Sequence, residues 1–484
     1  MKVCFATSEC VPYAKTGGLA DVSASLSRAL ARLGCKVKMF HPLYRSLNPK
    51  DHHLTFAEEL KDLTVFIAGK PVRFNVWYKK EPGLALETYF IDCPMYFDRE
   101  AIYTDDTDED ERFIFFQDAI IRVLQQLAWT PDILHCNDWQ TALLPVYLKL
   151  KYSWDRLFAG TRSLLTLHNL EYQGKFSPET IGKAGLPMDY YYPTGPFEFY
   201  GQFSFLKAGI VFADVLNTVS ETYAREIQTP EFGAGLDGVL RTRKADLYGI
   251  LNGIDTVAWN PRSDTLIPYR YGIKTLKFKA QNTASLRARA GLPAEEGVPL
   301  IGIVARLVHQ KGFDLLPPIW SQLMELPAQW VVLGTGEREF EDFFRRAAKR
   351  HPQKVAAFIE FNNELAHWIT AGSDLFLMPS KYEPCGLNQM YSLNYGTVPV
   401  VRKTGGLADT VIDIDENPTQ GNGFVFGDYS PAALLFTLRR ALDKYPDPSL
   451  WRKMMLRGMR ADFSWKRSAQ KYLELYQKAL ATAG

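Results

Sequence analysis

The string Lys-Thr-Gly-Gly-Leu-Ala-Asp occurs twice, at Lys15–Asp21 and at Lys403–Asp409, near opposite ends of the 484-residue chain. Each copy follows a short apolar run, Val3–Thr7 in one case and Val398–Val401 in the other, and precedes a stretch with helical spacing. A glycine pair at a strand-to-helix turn removes Cβ atoms where the backbone must pass close to something, and the new helix starts with unpaired N–H groups. Two such turns predict two similar α/β halves facing one anionic ligand.

The length agrees, since 484 residues exceed one ordinary core and suit two domains of roughly 200–250 residues. A hydrophobic share of 46% and a charged share of 23% are those of a globular protein in water. The formal charge of +2 argues against a nucleic-acid surface. Six cysteines (Cys4, Cys10, Cys35, Cys93, Cys136, Cys385) are scattered without C-x-x-C or cysteine–histidine spacing, which fits reduced thiols in a cytoplasm rather than disulfides or zinc. No apolar run is long enough to span a membrane, and the N-terminus reads as a first strand, not a signal peptide.

Strands are expected at Val3–Thr7, Val37–Phe40, Ile133–Cys136, Leu164–Leu167, Val215–Thr218 and Leu247–Leu251. Leu19, Val22, Leu26, Ala29, Leu30 and Leu33 recur at helical spacing between the first two, closed by Gly34. Strands alternating with helices predict a doubly wound parallel sheet, whose ligands bind beyond the carboxyl ends of the strands. The polar pairs Asn137-Asp138 and His168-Asn169 fall there. Between Asp255 and Pro299 the pattern breaks, as a linker or domain crossing would. A second series then runs through Leu300–Val304, Trp330–Leu333, Leu375–Met378 and Val398–Val401. The tail from Trp465 to Leu480 carries Tyr472, Leu475, Tyr476 and Ala479 on one helical face, and the acidic run Asp105–Glu111 reads as a solvated loop.

Several segments carry chemistry. Lys15 sets an ammonium beside a potential nest of backbone donors, against the simpler reading of a tight packing turn. Arg306 and Lys311, in Ala305–Gly312 just after a strand, have the charge and spacing to clamp a diphosphate and steady a leaving group, against the reading of two surface cations. Gly334-Thr335-Gly336 lacks the third glycine of the dinucleotide fingerprint, so hydride transfer is poorly supported. In Met378–Leu387, Glu383 is suited to sugar hydroxyls and Gly386 to opening a helix towards a ligand. Cys385 has no paired base and reads as a packing residue. Asp413-Ile414-Asp415 reads as a solvated helix end rather than a metal-binding pair.

Together these segments resemble the bacterial glycogen synthase and plastid starch synthase family over essentially the whole chain. The anchors are Lys15–Val22, Asn137-Asp138-Trp139, His168-Asn169 with Tyr172-Gln173-Gly174, Asn217–Ser220, Phe232-Gly233 with Gly235–Gly238, Asn252–Asp255, Arg306 with Lys311, Lys381–Leu387 and Lys403–Thr410. The resemblance implies an α/β protein of the GT-B type, two Rossmann-like doubly wound domains with the active-site cleft between them. It places the acceptor-side domain at 1–255, rejoined by a crossing helix at about 463–484, and the nucleotide-sugar domain at 256–462. It implies transfer of glucose from ADP-glucose to the non-reducing end of an α-1,4-glucan or maltooligosaccharide with retention of configuration. No cofactor and no metal are expected, nor any nucleic-acid or membrane partner.

By position, the resemblance assigns catalysis to His168, Glu383, Arg306, Lys311 and Asp138. His168 is expected beside the anomeric carbon, Glu383 on the transferred glucose, and Arg306 and Lys311 on the distal phosphate. Lys15, Gly18, Asp21, Asn252, Cys385, Gly386, Leu387, Gly405, Gly406 and Thr410 are expected around the donor, and Trp139 and Asn169 around the acceptor. No covalent nucleophile is assigned; front-face displacement through an oxocarbenium-like ion pair is implied. Departures from the family pattern are Gln140 for a common histidine, Phe97 for a possible tyrosine, and Tyr391 where related retaining transferases carry a second glutamate. Alternatives are a UDP-glucose or other-acceptor transferase of the same fold, and a catalytically silent glucan-binding protein.

Overall fold

The computed structural model describes residues 1–481. The chain separates into two compact units. The first takes Met1–Val219, Ala224–Gly253 and Trp465–Ala481, and the second takes Ser220–Tyr223 and Ile254–Ser464.

The first unit is built on a ten-stranded sheet. Its parallel part runs, edge to centre, Leu247–Gly249, Val215–Thr218, Arg162–Leu167, Ile133–Asn137, Lys2–Ala6, Lys36–Pro42 and Leu86–Asp92. The central runs are buried over most of their length, as in other parallel sheets with both faces covered. The strand order reverses between Lys2–Ala6 and Ile133–Asn137, a topological switch point where ligands of such sheets bind. Helix Gly18–Arg32 buries Leu19, Val22, Leu26, Ala29 and Leu30 and ends before Gly34, which takes φ 91°. Helix Trp465–Ala481 buries Tyr472, Leu475, Tyr476 and Ala479 in the same core as Val3, Val37, Ile133 and Leu164. Two of its tyrosines also bond beneath the sheet: Tyr476 Oη lies 2.7 Å from His135 Nδ1, and Asn217 Nδ2 donates to Tyr472 Oη at 2.8 Å.

Strand reading missed an antiparallel extension formed by Thr55–Phe56, Leu63–Ile67 and Lys70–Lys80 beside Leu86–Asp92. Leu63–Ile67 turns into Lys70–Lys80 through Ala68 (φ 49°) and Gly69 (φ 75°), a two-residue turn whose positive φ angles match the twist of a hairpin. Ala-Gly is a weaker sequence signal for such a turn than Asn-Gly. The alternation of buried Val72, Phe74 and Val76 was the available clue.

The second unit holds a six-stranded, all-parallel sheet in the order Val355–Phe358, Gln329–Leu333, Leu300–Val304, Leu375–Met378, Val398–Arg402, Phe424–Phe426. Numbered within the unit this is 3-2-1-4-5-6, the dinucleotide-fold order, with its switch point between Leu300–Val304 and Leu375–Met378. The 255–299 stretch is not strand-free linker alone: it contains helix Lys279–Ala290, which packs on helix Asn363–Gly372.

Two acidic segments differ from expectation. Glu109, Asp110 and Glu111 form the first turn of helix Glu109–Gln126, where carboxylates suit the helix dipole. Asp110 is buried against Thr180 and Lys183, while Asp106 and Asp108 bond Arg99. Asp413 is likewise buried, paired with Arg440 at 2.7 Å and accepting the Val425 N–H at 2.6 Å. Burial opposes its ionisation, but Arg440 and the backbone donors outweigh that and hold its carboxyl below the usual range. Its partners arrive from 12 and 27 residues downstream, too far to read locally.

Candidate active site

In the first unit the switch point gathers three loops. The Ile133–Asn137 strand ends in Asp138, whose backbone sits at φ 55°, ψ −170°, a region nearly restricted to glycine. The Asp138 carboxylate accepts the His168 N–H at 2.7 Å. Desolvation pushes its pKa up to about 7, against the pull of the His168 and Asn169 amides. His168 follows the Arg162–Leu167 strand. Its Nε2 lies 2.9 Å from Asn137 Oδ1, and the Asn137 amide nitrogen is spent on the Ala6 carbonyl at 2.9 Å, so Nε2 is the protonated nitrogen. Desolvation pushes the His168 pKa down to about 3, so the ring is neutral and Nδ1 keeps a free lone pair. Asn169 forms a local turn by accepting the Glu171 N–H at 3.1 Å.

Lys15 leads into helix Gly18–Arg32, and its ammonium pairs with Asp21 at 2.8 Å inside the same heptapeptide. Gly17 caps that helix, and Cβ atoms at Gly17 or Gly18 would meet nothing, so this turn faces open space. Asn252 is buried with its Oδ1 unpartnered, an acceptor left over in the protein itself.

Trp139, expected around the acceptor, is largely enclosed. It is 8% exposed, packed edge-on against Phe113 at 4.9 Å and near Phe176 and Phe205, and a Cβ at Gly174 would collide with its ring. Its indole fixes the turn that carries Asp138. Of the departures noted above, Phe97 is fully buried among Tyr44, Phe115 and Phe116. Gln140 is also buried, with its Oε1 unpartnered.

In the second unit the same logic repeats with other residues. Leu300–Val304 leads to Arg306 and Lys311, and Leu375–Met378 leads to Glu383, so the three charged groups leave strands on either side of the switch point. Arg306 is exposed and its guanidinium has no partner among the described residues. Lys311 Nζ meets Glu383 Oε2 at 2.6 Å, and Ser380 Oγ donates to the same oxygen at 3.0 Å. The loop around Glu383 is clamped by glycines: a Cβ at Gly312 would collide with the Pro379 carbonyl, at Gly405 with the Glu383 carbonyl, and at Gly406 with Cys385. Gly312 and Gly405 also take φ 75° and 43°, which disfavour a side chain.

The second glycine pair therefore works differently from the first. Gly406 N–H is already donated to the Glu383 and Pro384 carbonyls at 3.1 and 3.2 Å. Thr410 Oγ1 donates to the Gly406 carbonyl at 2.6 Å and accepts from Gln389 at 3.2 Å. Among the described residues the Lys403 ammonium reaches only Glu416, at 3.4 Å on the surface. Cys385 is buried, Gly386 takes φ 70°, and Leu387 precedes helix Asn388–Asn394. Tyr391 lies flat on Trp259, ring centroids 4.0 Å apart, and the other face of Trp259 carries His367 at 3.7 Å. An aromatic stack thus fills the position where a second glutamate was absent.

Sequence reasoning missed Glu337. Its N–H donates to the Leu307 carbonyl and its carboxylate takes the His309 N–H at 3.2 Å and lies 2.6 Å from His309 Nδ1, bracing the Arg306–Lys311 loop. With Glu339 these are the described residues whose donor atoms could gather on a metal ion, but His309 is engaged in the ion pair, which raises its pKa. Among the described residues no helix is long and apolar enough to cross a membrane.

A family model described as the starch synthase catalytic domain matches residues 2–242, and one described as glycosyl transferases group 1 matches residues 286–454. The glycogen synthase of Syntrophotalea carbinolica is 46% identical over 99% of both chains, and that of Thermotoga maritima 47% identical over 100% of both. Among solved structures, the catalytic domain of starch synthase IV from Arabidopsis thaliana, bound to ADP and acarbose, is 35% identical with a TM-score of 0.89 over 99% of both chains. A sucrose-phosphate synthase from Thermosynechococcus elongatus, at 18% identity and TM-score 0.59, is alike in fold.

Proposed function

The chain belongs to the glycogen synthase and starch synthase family, glycosyltransferases of the GT-B fold, and we propose that it transfers glucose from ADP-glucose to the non-reducing end of an α-1,4-glucan with retention of configuration. The observation that carries this reading is the second unit's cluster: a partnerless Arg306 beside a Lys311–Glu383 pair at a dinucleotide-fold switch point. Two cations there suit a departing diphosphate, and a desolvated carboxylate suits glucose hydroxyls. The ADP held by the starch synthase IV domain supports the choice of base.

In this reading the second unit is the donor side, and Arg306 and Lys311 take up the negative charge that grows on the diphosphate as the glycosidic bond breaks. Lys15 supplies a third cation and Asn252 an acceptor for the donor. Glu383 holds the glucose; its pairing with Lys311 makes it a poor nucleophile, consistent with a front-face displacement in which the leaving phosphate oxygen takes the acceptor's proton. The first unit is the acceptor side. His168, neutral and fixed in tautomer, stands beside the reacting carbon without adding positive charge to an oxocarbenium-like centre, while Asp138 and Asn169 order the acceptor. Cys385-Gly386-Leu387 and Gly405-Gly406 shape the loop around Glu383.

Incubation with maltooligosaccharide and either ADP-glucose or UDP-glucose, with and without a chelator, tests the reading by chain length. Extension from ADP-glucose that survives chelation, with α-anomeric product by NMR, is the expected result. No extension from either donor overturns the reading, extension from UDP-glucose alone overturns the donor, and loss on chelation overturns the metal-free mechanism.

A further inference from the structure

We propose that Glu9 is a positioning residue that holds the Lys15 turn in its donor-binding form, an inference that rests on the ADP-glucose reading above. Glu9 follows the first strand and is only 4% exposed. One of its carboxylate oxygens accepts the N–H groups of Thr16 at 2.7 Å and Gly17 at 3.0 Å. The other accepts the hydroxyls of Thr16 at 2.7 Å and Tyr103 at 2.9 Å. Four donors fill the acceptor sites of a carboxylate. The shell behind it is ordered too: Tyr103 Oη lies 2.8 Å from Ser8 Oγ, and Thr7 Oγ1 donates to the Glu9 carbonyl at 2.9 Å.

The two amides that Glu9 takes stand at the start of helix Gly18–Arg32, where a phosphate would otherwise be drawn. An internal carboxylate therefore occupies that half of the turn. What it leaves for a ligand is the Lys15 ammonium, steadied by Asp21, and the open side of Gly18. Phosphate recognition here depends on a cation held at a set position beside the helix's own first N–H groups, the two amides before them being spent on Glu9. Glu9 sets that position, because it fixes the two residues that follow Lys15 in the chain.

The test uses the full chain and ADP affinity measured by calorimetry in a double-mutant cycle of Glu9→Gln and Lys15→Ala. Glutamine keeps the shape but removes the charge from the bonds to the Thr16 and Gly17 N–H groups, and its N–H₂ group faces the Thr16 and Tyr103 hydroxyls, which must reverse from donating to accepting. Glu9→Gln is expected to weaken ADP binding about tenfold in the wild-type background, the size of one charge-assisted hydrogen bond lost. In the Lys15→Ala background the same change should cost about twofold or less, because its effect passes through Lys15. Unchanged ADP affinity in Glu9→Gln, or an equal loss in both backgrounds, overturns the proposal. Should Glu9→Gln fail to unfold cooperatively, Thr16→Val, which removes one donor to the same carboxylate, takes its place with the same two criteria. Glucan extension by the wild type is scored in parallel: its failure overturns the donor reading, whereas an active wild type with an indifferent Glu9→Gln overturns only the role of Glu9.

Discussion

At the scale of single residues, Asp138 is held against its own preferences. Its φ 55°, ψ −170° backbone costs about 1–3 kcal/mol, and strain of that kind persists where the surroundings over-determine it. Its carboxyl, pushed up to about 7 by desolvation, adds a pH signature. A folded-state pKa above the unfolded value of about 3.9 stabilises the fold below that value and loses the contribution as pH rises through the folded pKa. The melting temperature of the wild type relative to Asp138→Asn should therefore fall between about pH 4 and pH 7 and level off above it. A difference that stays flat across that window would remove the perturbed carboxyl from the account.

Arg306 and Lys311 should separate cleanly by stability and rate. Arg306→Ala removes an exposed, unpaired guanidinium, so unfolding should change by less than about 0.5 kcal/mol. Transfer should nevertheless slow by at least ~100-fold, as when an oxyanion donor is lost. Lys311→Ala strands the buried Glu383 carboxylate and should cost about 2 kcal/mol in denaturant titration as well, less than a fully buried pair because Lys311 retains some solvent. Near-normal kcat/KM for Arg306→Ala would take that residue out of the diphosphate clamp.

At the scale of elements, the Glu383 loop is located by what its neighbours lack. Gly312, Gly405 and Gly406 press their backbones onto Pro379, Glu383 and Cys385. Gly406→Ala must push that loop away, with about 1–3 kcal/mol of overpacking. It should lower kcat more than it raises KM for ADP-glucose, since the glucose grip moves while Arg306, which is not bonded to that loop, stays; an unchanged kcat would show that the loop tolerates displacement.

The two copies of the heptapeptide also show what a sequence can and cannot carry at this scale. Their placement after strands was legible from apolar runs and glycine, and Val215–Thr218, Leu300–Val304 and Leu375–Met378 form as read. Why glycine is needed was not legible, because open space at Gly17 and a colliding loop at Gly406 are made by residues far along the chain. Trp139 shows the same limit: its enclosure by Phe113, Phe176 and Phe205 is made by residues far along the chain. Lys311 and Glu383 were picked out separately by charge and strand position, but their ion pair spans 72 residues and only folding brings it together.

At the scale of the whole molecule, the first unit is discontinuous: the chain leaves it after Gly253 and comes back at Trp465. The returning helix supplies Tyr472 and Tyr476 to a core already holding Val3 and Ile133, and completes hydrogen bonds to His135 and Asn217. Truncation after Ser464 should therefore strip amide protection from the Ile133–Asn137 and Arg162–Leu167 strands while Leu300–Val304 and Gln329–Leu333 remain protected in hydrogen exchange. Equal loss in both sheets would mean that the helix supports more than its own unit.

That return has a consequence for how the protein is made. A nascent chain leaves the ribosome from its N-terminus, yet the sheet that emerges first must wait for a helix encoded after the entire second unit. At about 5–20 residues per second, making residues 254 to 481 takes roughly 10–50 s. Throughout that interval the earliest-born part of the molecule carries an uncovered apolar face, and it is the part of the cell's product most in need of a chaperone.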